Sequence, residues 1–294
     1  MPDAADAPTA ADAGTLLLGG DLEVRRLGYG AMRLTGDGIW GEPDDPDAAR
    51  ALLRRALELG VNFIDTADSY GPEVSERLIA EALHPYPDDL VIATKGGLTR
   101  SGPGDWERDG RPERLRRCCE ASLQRLRVDR IDLYQLHAVD PRVPFEDSIG
   151  VLAELREEGK IRHIGLSNVG RTELSAGLDA VPIASVQNRY SLADRDSERV
   201  LDECESRGPA FIPWFPLGAG GLGGAAPLRR IATAHQSTPF QVALAWLLRR
   251  SEVMLPIPGT SSIEHLEENV AAANLRLSDE EFAELSQVQR PQSA

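Results

Sequence analysis

The chain has 294 residues, 41% hydrophobic and 27% charged, with a formal net charge of −15. That acidity argues against sequence-independent binding to nucleic acid or anionic lipid, and no apolar run approaches the ~20 residues of a membrane span. The length suits one (β/α)8 barrel and buries a sizeable core without disulfides or metal.

Residues 1–14 are rich in Ala, Asp and Pro and lack a positive n-region and an apolar h-region. They read as a disordered tail rather than a signal peptide, and 15–294 as a single domain. Thr15 to Leu18 and Leu22 to Val24 flank Gly19-Gly20-Asp21, a hairpin signal. Arg26 to Met32 reads as a strand. Asp47 to Leu59 is amphipathic, with Ala48, Leu52, Leu53, Ala56 and Leu59 on one face, and Gly60 ends it.

Strands are expected at Asn62 to Ile64 and Leu90 to Thr94, with a helix at Glu73 to Leu83 between them. Pro112 suits a first helical position, and that helix runs to about Arg127. Strands at Ile131 to Leu136, Ile161 to Leu166, Ile183 to Gln187, Ala210 to Trp214 and Val253 to Ile257 alternate with helices at Phe145 to Glu158, Arg171 to Leu178, Ser197 to Arg207, Pro239 to Arg249 and Ile263 to Ala272. Ser278 caps a last helix, with Glu281 completing a capping box. Eight strand–helix units with no composition break predict an α/β (β/α)8 TIM barrel with an N-terminal β-hairpin cap. The Gly-Pro-rich stretch Thr99 to Pro112 and the Gly-rich stretch Leu217 to Pro227 are long loops, and such loops are usually functional.

Cys118, Cys119 and Cys204 give neither a disulfide framework nor a zinc pattern. They fit reduced thiols in a cytoplasmic protein. His84, His163, His235 and His265 show no metal-ligand spacing, so no metal is expected. The arginines at 114, 116, 117, 125, 127 and 130 read as a solvated helix face.

Asp65, Lys95 and His137 each end one of the apolar runs, and Tyr70 follows Asp65 on the connecting loop. A parallel barrel places its chemistry at the carboxyl ends of its strands. An acid, an amine, an imidazole and a phenol gathered there can protonate a carbonyl oxygen.

Several runs together resemble the aldo-keto reductase superfamily. They are Asn62-Phe63-Ile64-Asp65-Thr66-Ala67-Asp68-Ser69-Tyr70-Gly71, Thr94-Lys95-Gly96, Asp132-Leu133-Tyr134-Gln135-Leu136-His137, Ile164-Gly165-Leu166-Ser167-Asn168, Val186-Gln187-Asn188 and Pro216-Leu217-Gly218. The resemblance spans roughly Gly28 to Leu277. It implies a TIM barrel, a nicotinamide cofactor and reversible carbonyl reduction. Tyr70 is then expected as the general acid, Lys95 as the group that tunes it, Asp65 as the partner of Lys95, and His137 as the group that orients the carbonyl oxygen. An ammonium about 4 Å away, at an effective dielectric of about 20, favours a phenolate by roughly 4 kcal/mol. That corresponds to a lowering of up to about three pKa units before desolvation acts against it.

By the same resemblance Ser167, Asn168 and Gln187 hold the nicotinamide amide, and Trp214 stacks on its ring. Phe215, Pro216, Leu217, Gly218 and Gly220 bring backbone to the diphosphate, and Gly259, Thr260, Ser261, His265, Glu268 and Asn269 form the adenosine end. Many NADP-dependent relatives carry Lys where Gly259 stands and Arg where His265 stands. NADPH is nevertheless expected, with NADH as the alternative. Met32, Trp40 and Trp106 are expected substrate walls. The Gly28 to Met32, Phe215 to Gly218 and Ile257 to Ser262 runs also resemble bacterial pyridoxal reductases of the superfamily, which makes pyridoxal one named substrate among small carbonyl compounds. Two other readings stand beside reduction: a non-catalytic nucleotide-binding sensor or subunit of the same fold, and a lyase using Lys95 as a Schiff base.

Overall fold

Strands and helices alternate along the chain in the computed structural model, which describes residues 7–218 and 225–288. An antiparallel hairpin comes first, β1 (Thr15–Leu18) with β2 (Leu22–Arg25). Then follow β3 (Tyr29–Gly30), α1 (Pro46–Glu58), β4 (Phe63–Asp65), α2 (Val74–Leu83), β5 (Val91–Gly96), a small ribbon of β6 (Leu98–Thr99) and β7 (Glu107–Arg108), and α3 (Pro112–Leu126). The second half comprises β8 (Ile131–Leu136), α4 (Phe145–Glu157), β9 (Ile161–Ser167), α5 (Arg171–Ala180), β10 (Ile183–Arg189), α6 (Glu198–Arg207), β11 (Ala210–Trp214), α7 (Ala226–Ala234), α8 (Pro239–Arg250), α9 (Ile263–Ala271) and α10 (Asp279–Leu285).

Seven parallel strands form one sheet in the order β11-β10-β9-β8-β5-β4-β3. The eighth expected strand, Val253 to Ile257, is extended chain rather than a regular strand. It still links the two edges of the sheet. Phe211 N donates to Val253 O at 2.8 Å, Leu255 N to Phe211 O at 2.9 Å, and Gly28 N to Pro256 O at 2.9 Å. Proline at 256 and 258 removes donors there, which is why a regular ladder does not form. Arg26 fastens this segment to the end of α8. Its buried guanidinium donates to Leu248 O at 2.6 Å, to Ser251 O, and to Met254 O at 3.3 Å.

Period-two alternation sorts the side chains. Ile64, Ile92, Tyr134 and Leu136 point outward into the apolar layer shared with the helices. Phe63, Val91, Ala93 and Leu133 form a second, inner cluster with Ile212 and Leu255. Leu18 and Val24 of the hairpin belong to the same inner cluster. The hairpin is held at the amino ends of the strands: Arg25 N donates to Asn62 Oδ1 at 2.8 Å, and Asn62 Nδ2 donates to Glu23 O at 3.0 Å.

Helix starts follow capping chemistry. Asp45 accepts from Ala48 N ahead of Pro46, Thr238 and Gln241 form a box ahead of Pro239, and Ser278 and Glu281 form another. On α1, Ala49 rather than Ala48 is buried with Leu52, Leu53 and Ala56.

Several expectations are corrected. The tail is not disordered throughout: Ala10–Ala13 make a 3-10 turn, with Thr9 and Asp12 as a reciprocal cap. Ala10 is buried and its N–H donates to Leu59 O at 2.9 Å, which ties the segment down. Residues 1–6 lie outside the described residues. The strand expected over Arg26 to Met32 pairs only at Tyr29 and Gly30, because Ala31–Leu34 turn into a 3-10 helix. α7 was not expected, since the Gly-rich run beside it masks its apolar period. No helix among the described residues is long and apolar enough to cross a membrane. The three cysteines are free and buried.

Candidate active site

The alternation that fills the inner layer with apolar side chains places polar ones on the same face one step up. Asp65 follows Phe63 by two residues, Lys95 follows Ala93, and Gln135 and His137 follow Leu133. All four point inward at the carboxyl end of the sheet. Tyr70 joins them from the β4–α2 loop.

Lys95 is fully buried, and each of its three ammonium hydrogens has a partner. Nζ lies 2.6 Å from Asp65 Oδ2, 2.8 Å from Thr66 O and 3.3 Å from Tyr70 OH. The other carboxylate oxygen of Asp65 accepts from two carboxamides, Gln187 Nε2 at 2.8 Å and Gln135 Nε2 at 3.1 Å. Burial opposes the Lys95 charge, but Asp65 and then Tyr70 more than offset it and hold Lys95 above the usual lysine range. Tyr70 moves the other way from expectation. Burial raises it, and the lowering by Lys95 is outweighed because Asp65 and Asp68 add to the rise. The phenol is therefore protonated at neutral pH.

His137 is held well below its usual value, by burial first and then by the charge of Lys95. It is a neutral imidazole. Its Nδ1 lies 3.3 Å from the Ser69 hydroxyl. When that hydroxyl donates, the ring proton is on Nε2. The rings of Tyr70 and His137 meet edge-on with centroids 5.9 Å apart.

A cavity of about 350 Å³ opens above these groups. Asp65, Tyr70, His137, Ser167, Asn168, Gln187, Trp214, Phe215, Pro216, Leu217, Gly218 and Gly259 all line it. The sequence reading named each of them. Met32 and Trp106, two of the three expected substrate walls, line it too, but Trp40 does not. The Trp40 ring centroid lies 5.7 Å from the guanidinium of Arg100 instead. Thr260, Ser261, His265, Glu268 and Asn269 are not among the lining residues; they continue from Gly259 into α9. There Ser262 caps the helix by accepting from His265 N. Gly220 lies outside the described residues.

Asn168 has a left-handed backbone (φ 57°), which asparagine tolerates. That turn lets its side chain bridge the site: Nδ2 donates to His137 O at 2.9 Å and to Ser167 Oγ at 3.0 Å, and Oδ1 accepts from Trp214 Nε1 at 3.0 Å. Gly30 and Gly259 meet back to back. A Cβ on Gly30 would lie 2.7 Å from Ile257 O, and one on Gly259 would lie 2.6 Å from Gly30 O. This close approach explains why no lysine stands at 259. Exposed Arg33 runs alongside, its Cγ 3.6 Å from the same point.

Gln135, Arg33, Ile39 and Leu98 are site residues that the sequence reading missed. Gln135 was findable by parity, two residues before His137. Arg33, Ile39 and Leu98 come from two short 3-10 helices and a two-residue strand, too short to show a period. Among the described residues no group of three or more His, Cys, Asp or Glu is arranged to hold a metal.

The chain belongs to the aldo/keto reductase family, whose model matches residues 26–290. It is 50% identical over 294 residues to an uncharacterised oxidoreductase of Schizosaccharomyces pombe, covering 99% of this chain and 95% of that one. It is 43% identical over 277 residues to pyridoxine 4-dehydrogenase of Escherichia coli K12, covering 92% and 97%. A crystal structure of an aldo-keto reductase from Klebsiella pneumoniae in complex with NADPH superposes with a TM-score of 0.81 at 28% identity, covering 95% of this chain and 96% of that one.

Proposed function

We propose that this protein is an NADPH-dependent oxidoreductase that reduces an aldehyde or ketone to the alcohol, with Tyr70 as general acid. One observation carries the reading. The buried Lys95 ammonium holds Asp65 on one side and the Tyr70 hydroxyl on the other, at the floor of a cavity lined by Tyr70 and His137. The bound nicotinamide supplies the hydride. Tyr70 OH gives its proton to the substrate oxygen, and the phenolate left behind is stabilised by Lys95 Nζ. Asp65 keeps Lys95 charged and in place. A neutral His137 with its proton on Nε2 donates to the same substrate oxygen and orients it.

The residues present fit the cofactor. Ser167 Oγ accepts from Asn168 and keeps its own hydrogen to give. Gln187 uses its amide nitrogen on Asp65, which leaves its carbonyl oxygen for a carboxamide. Trp214 offers a ring face at the wall. Gly30 and Gly259 pack against each other and against Ile257 at the cavity wall, and exposed Arg33 restores positive charge where relatives use a lysine at 259. These cationic and helix-end donors favour NADPH over NADH. Pyridoxal is the first aldehyde to try, since the Escherichia coli relative is a pyridoxine 4-dehydrogenase.

A Schiff-base role for Lys95 fits poorly, because all three of its hydrogens are engaged and its charge is stabilised. A binding-only role leaves the contact between Lys95 and Tyr70 without a use. The test is titration with NADPH and NADH, followed by tryptophan fluorescence, then NADPH consumption with 4-nitrobenzaldehyde. NADPH is expected to bind about tenfold more tightly than NADH, a difference of about 1.4 kcal/mol, and to be consumed. Tighter NADH binding overturns the cofactor assignment. Binding without consumption supports the sensor reading, and no binding of either removes the proposal.

A further inference from the structure

Arg100, just beyond β6, belongs to none of the groups that act on the cofactor or the reacting carbonyl. Its guanidinium nevertheless joins three loops, one of which carries Ile39 of the cavity lining. Nη1 donates to Ile39 O at 3.0 Å and to Ser69 O at 3.3 Å. Nη2 donates to Gly38 O at 2.9 Å and to Gly102 O at 3.3 Å. The carbonyls at 38 and 39 follow β3, the one at 69 follows β4, and the one at 102 lies in the loop of Arg100 itself. Only a planar fork with several donors can serve acceptors arranged this way.

The faces of the guanidinium are also used. Its carbon lies 3.7 Å from the ring centroid of Trp106 and 5.7 Å from that of Trp40. Such stacking attracts the cation to the negative face of the ring. Trp106 in turn stands edge-on to both reacting rings, with centroids 6.5 Å from Tyr70 and 6.3 Å from His137. One side chain therefore packs on the ring of the cavity wall that stands against the proton donor.

We propose that Arg100 is a specificity-determining positioning residue, which fixes Trp106 and the 38–40 turn as a flat wall over Tyr70 and His137 and so favours planar aromatic aldehydes over short aliphatic ones. The proposal rests on the reductase reading for its substrate half. Met32, Ile39 and Leu98 also line the cavity and offer apolar contact to a ring. A short aldehyde reaches Tyr70 without touching the wall. An aromatic one stacks against it, and its affinity depends on the wall being already in place.

The test compares wild type, Arg100→Ala and Arg100→Lys with 4-nitrobenzaldehyde and propanal, alongside NADPH affinity. In Arg100→Ala, kcat/KM for the aromatic aldehyde is expected to fall about tenfold or more, mainly through KM, while propanal and NADPH stay within about twofold. Arg100→Lys keeps the charge without the fork and is expected to fall in between. Hydrogen exchange is read in parallel, without substrate. The wall turn is held by Gly41 N donating to Gly71 O at 2.6 Å and Gly71 N to Ile39 O at 3.3 Å. Those two amides are expected to exchange at least about tenfold faster in Arg100→Ala, with the β8–β9 ladder unchanged. An unchanged selectivity ratio, a parallel loss for both aldehydes, or unchanged exchange at Gly41 and Gly71 each overturns the proposal. If wild type reduces neither aldehyde, the reductase reading fails on its own, and the exchange measurement still decides whether Arg100 holds the wall.

Discussion

Lys95 and Asp65 are both buried, and each offsets the charge of the other. Removing one charge strands its partner, which typically costs 3–5 kcal/mol. Lys95→Met is therefore expected to lower stability by about 3–5 kcal/mol. The double variant Asp65→Asn with Lys95→Met removes both charges and should recover most of that loss. Urea unfolding of the three proteins checks this, and a double variant less stable than the single one would contradict it. Asp68 makes a second residue-scale prediction. Burial, with Glu76 adding repulsion, pushes its carboxyl up to about 7. The native state then holds a proton that the unfolded chain has already lost, so stability falls as pH rises from about 4 to about 7 and levels off above that. Asp68→Asn should flatten this slope by up to about 4 kcal/mol relative to wild type. Urea midpoints at pH 5 and pH 8 measure it, and an unchanged slope refutes the assignment.

Among the elements, the hairpin and the βα loops divide the labour. β1 and β2 cover the amino end of the sheet and send Leu18 and Val24 into the inner cluster, away from the chemistry. Leu18→Ala should cost about 2–5 kcal/mol of stability and leave kcat/KM for a reduced aldehyde unchanged. A loss of activity at full stability would mean that the hairpin communicates with the site. The loops at the other end were harder to read from sequence. Strands announce themselves as apolar runs between turn residues, and most were legible within a residue or two. The eighth was not, because its prolines forbid the ladder that its apolar residues suggest. α7 was hidden beside glycines, although Pro227 near its start is a helix signal. Arg100 left no trace in the sequence. Its partners are carbonyl oxygens, which every residue carries, at positions 2 to 62 residues away.

For the whole molecule, polar residues at strand ends made the proposed reaction centre legible. Period-two alternation turns Asp65, Lys95 and His137 inward without reference to any neighbour. Electrostatics were less legible, since the sequence shows that burial opposes Lys95 at Tyr70 but not that burial is the larger of the two. A net charge of −15 likewise conceals a cavity edged by Arg33, so global charge says little about an anionic cofactor. The account stands or falls on Tyr70 as the proton donor. The most direct test is NADPH-dependent reduction of 4-nitrobenzaldehyde by wild type and Tyr70→Phe, with NADPH affinity measured on both. Phenylalanine keeps the ring against Trp106 and His137 and removes only the hydroxyl. The account predicts a fall in kcat of about 10²–10⁴-fold with NADPH affinity nearly unchanged. Turnover at the wild-type rate in Tyr70→Phe would contradict it.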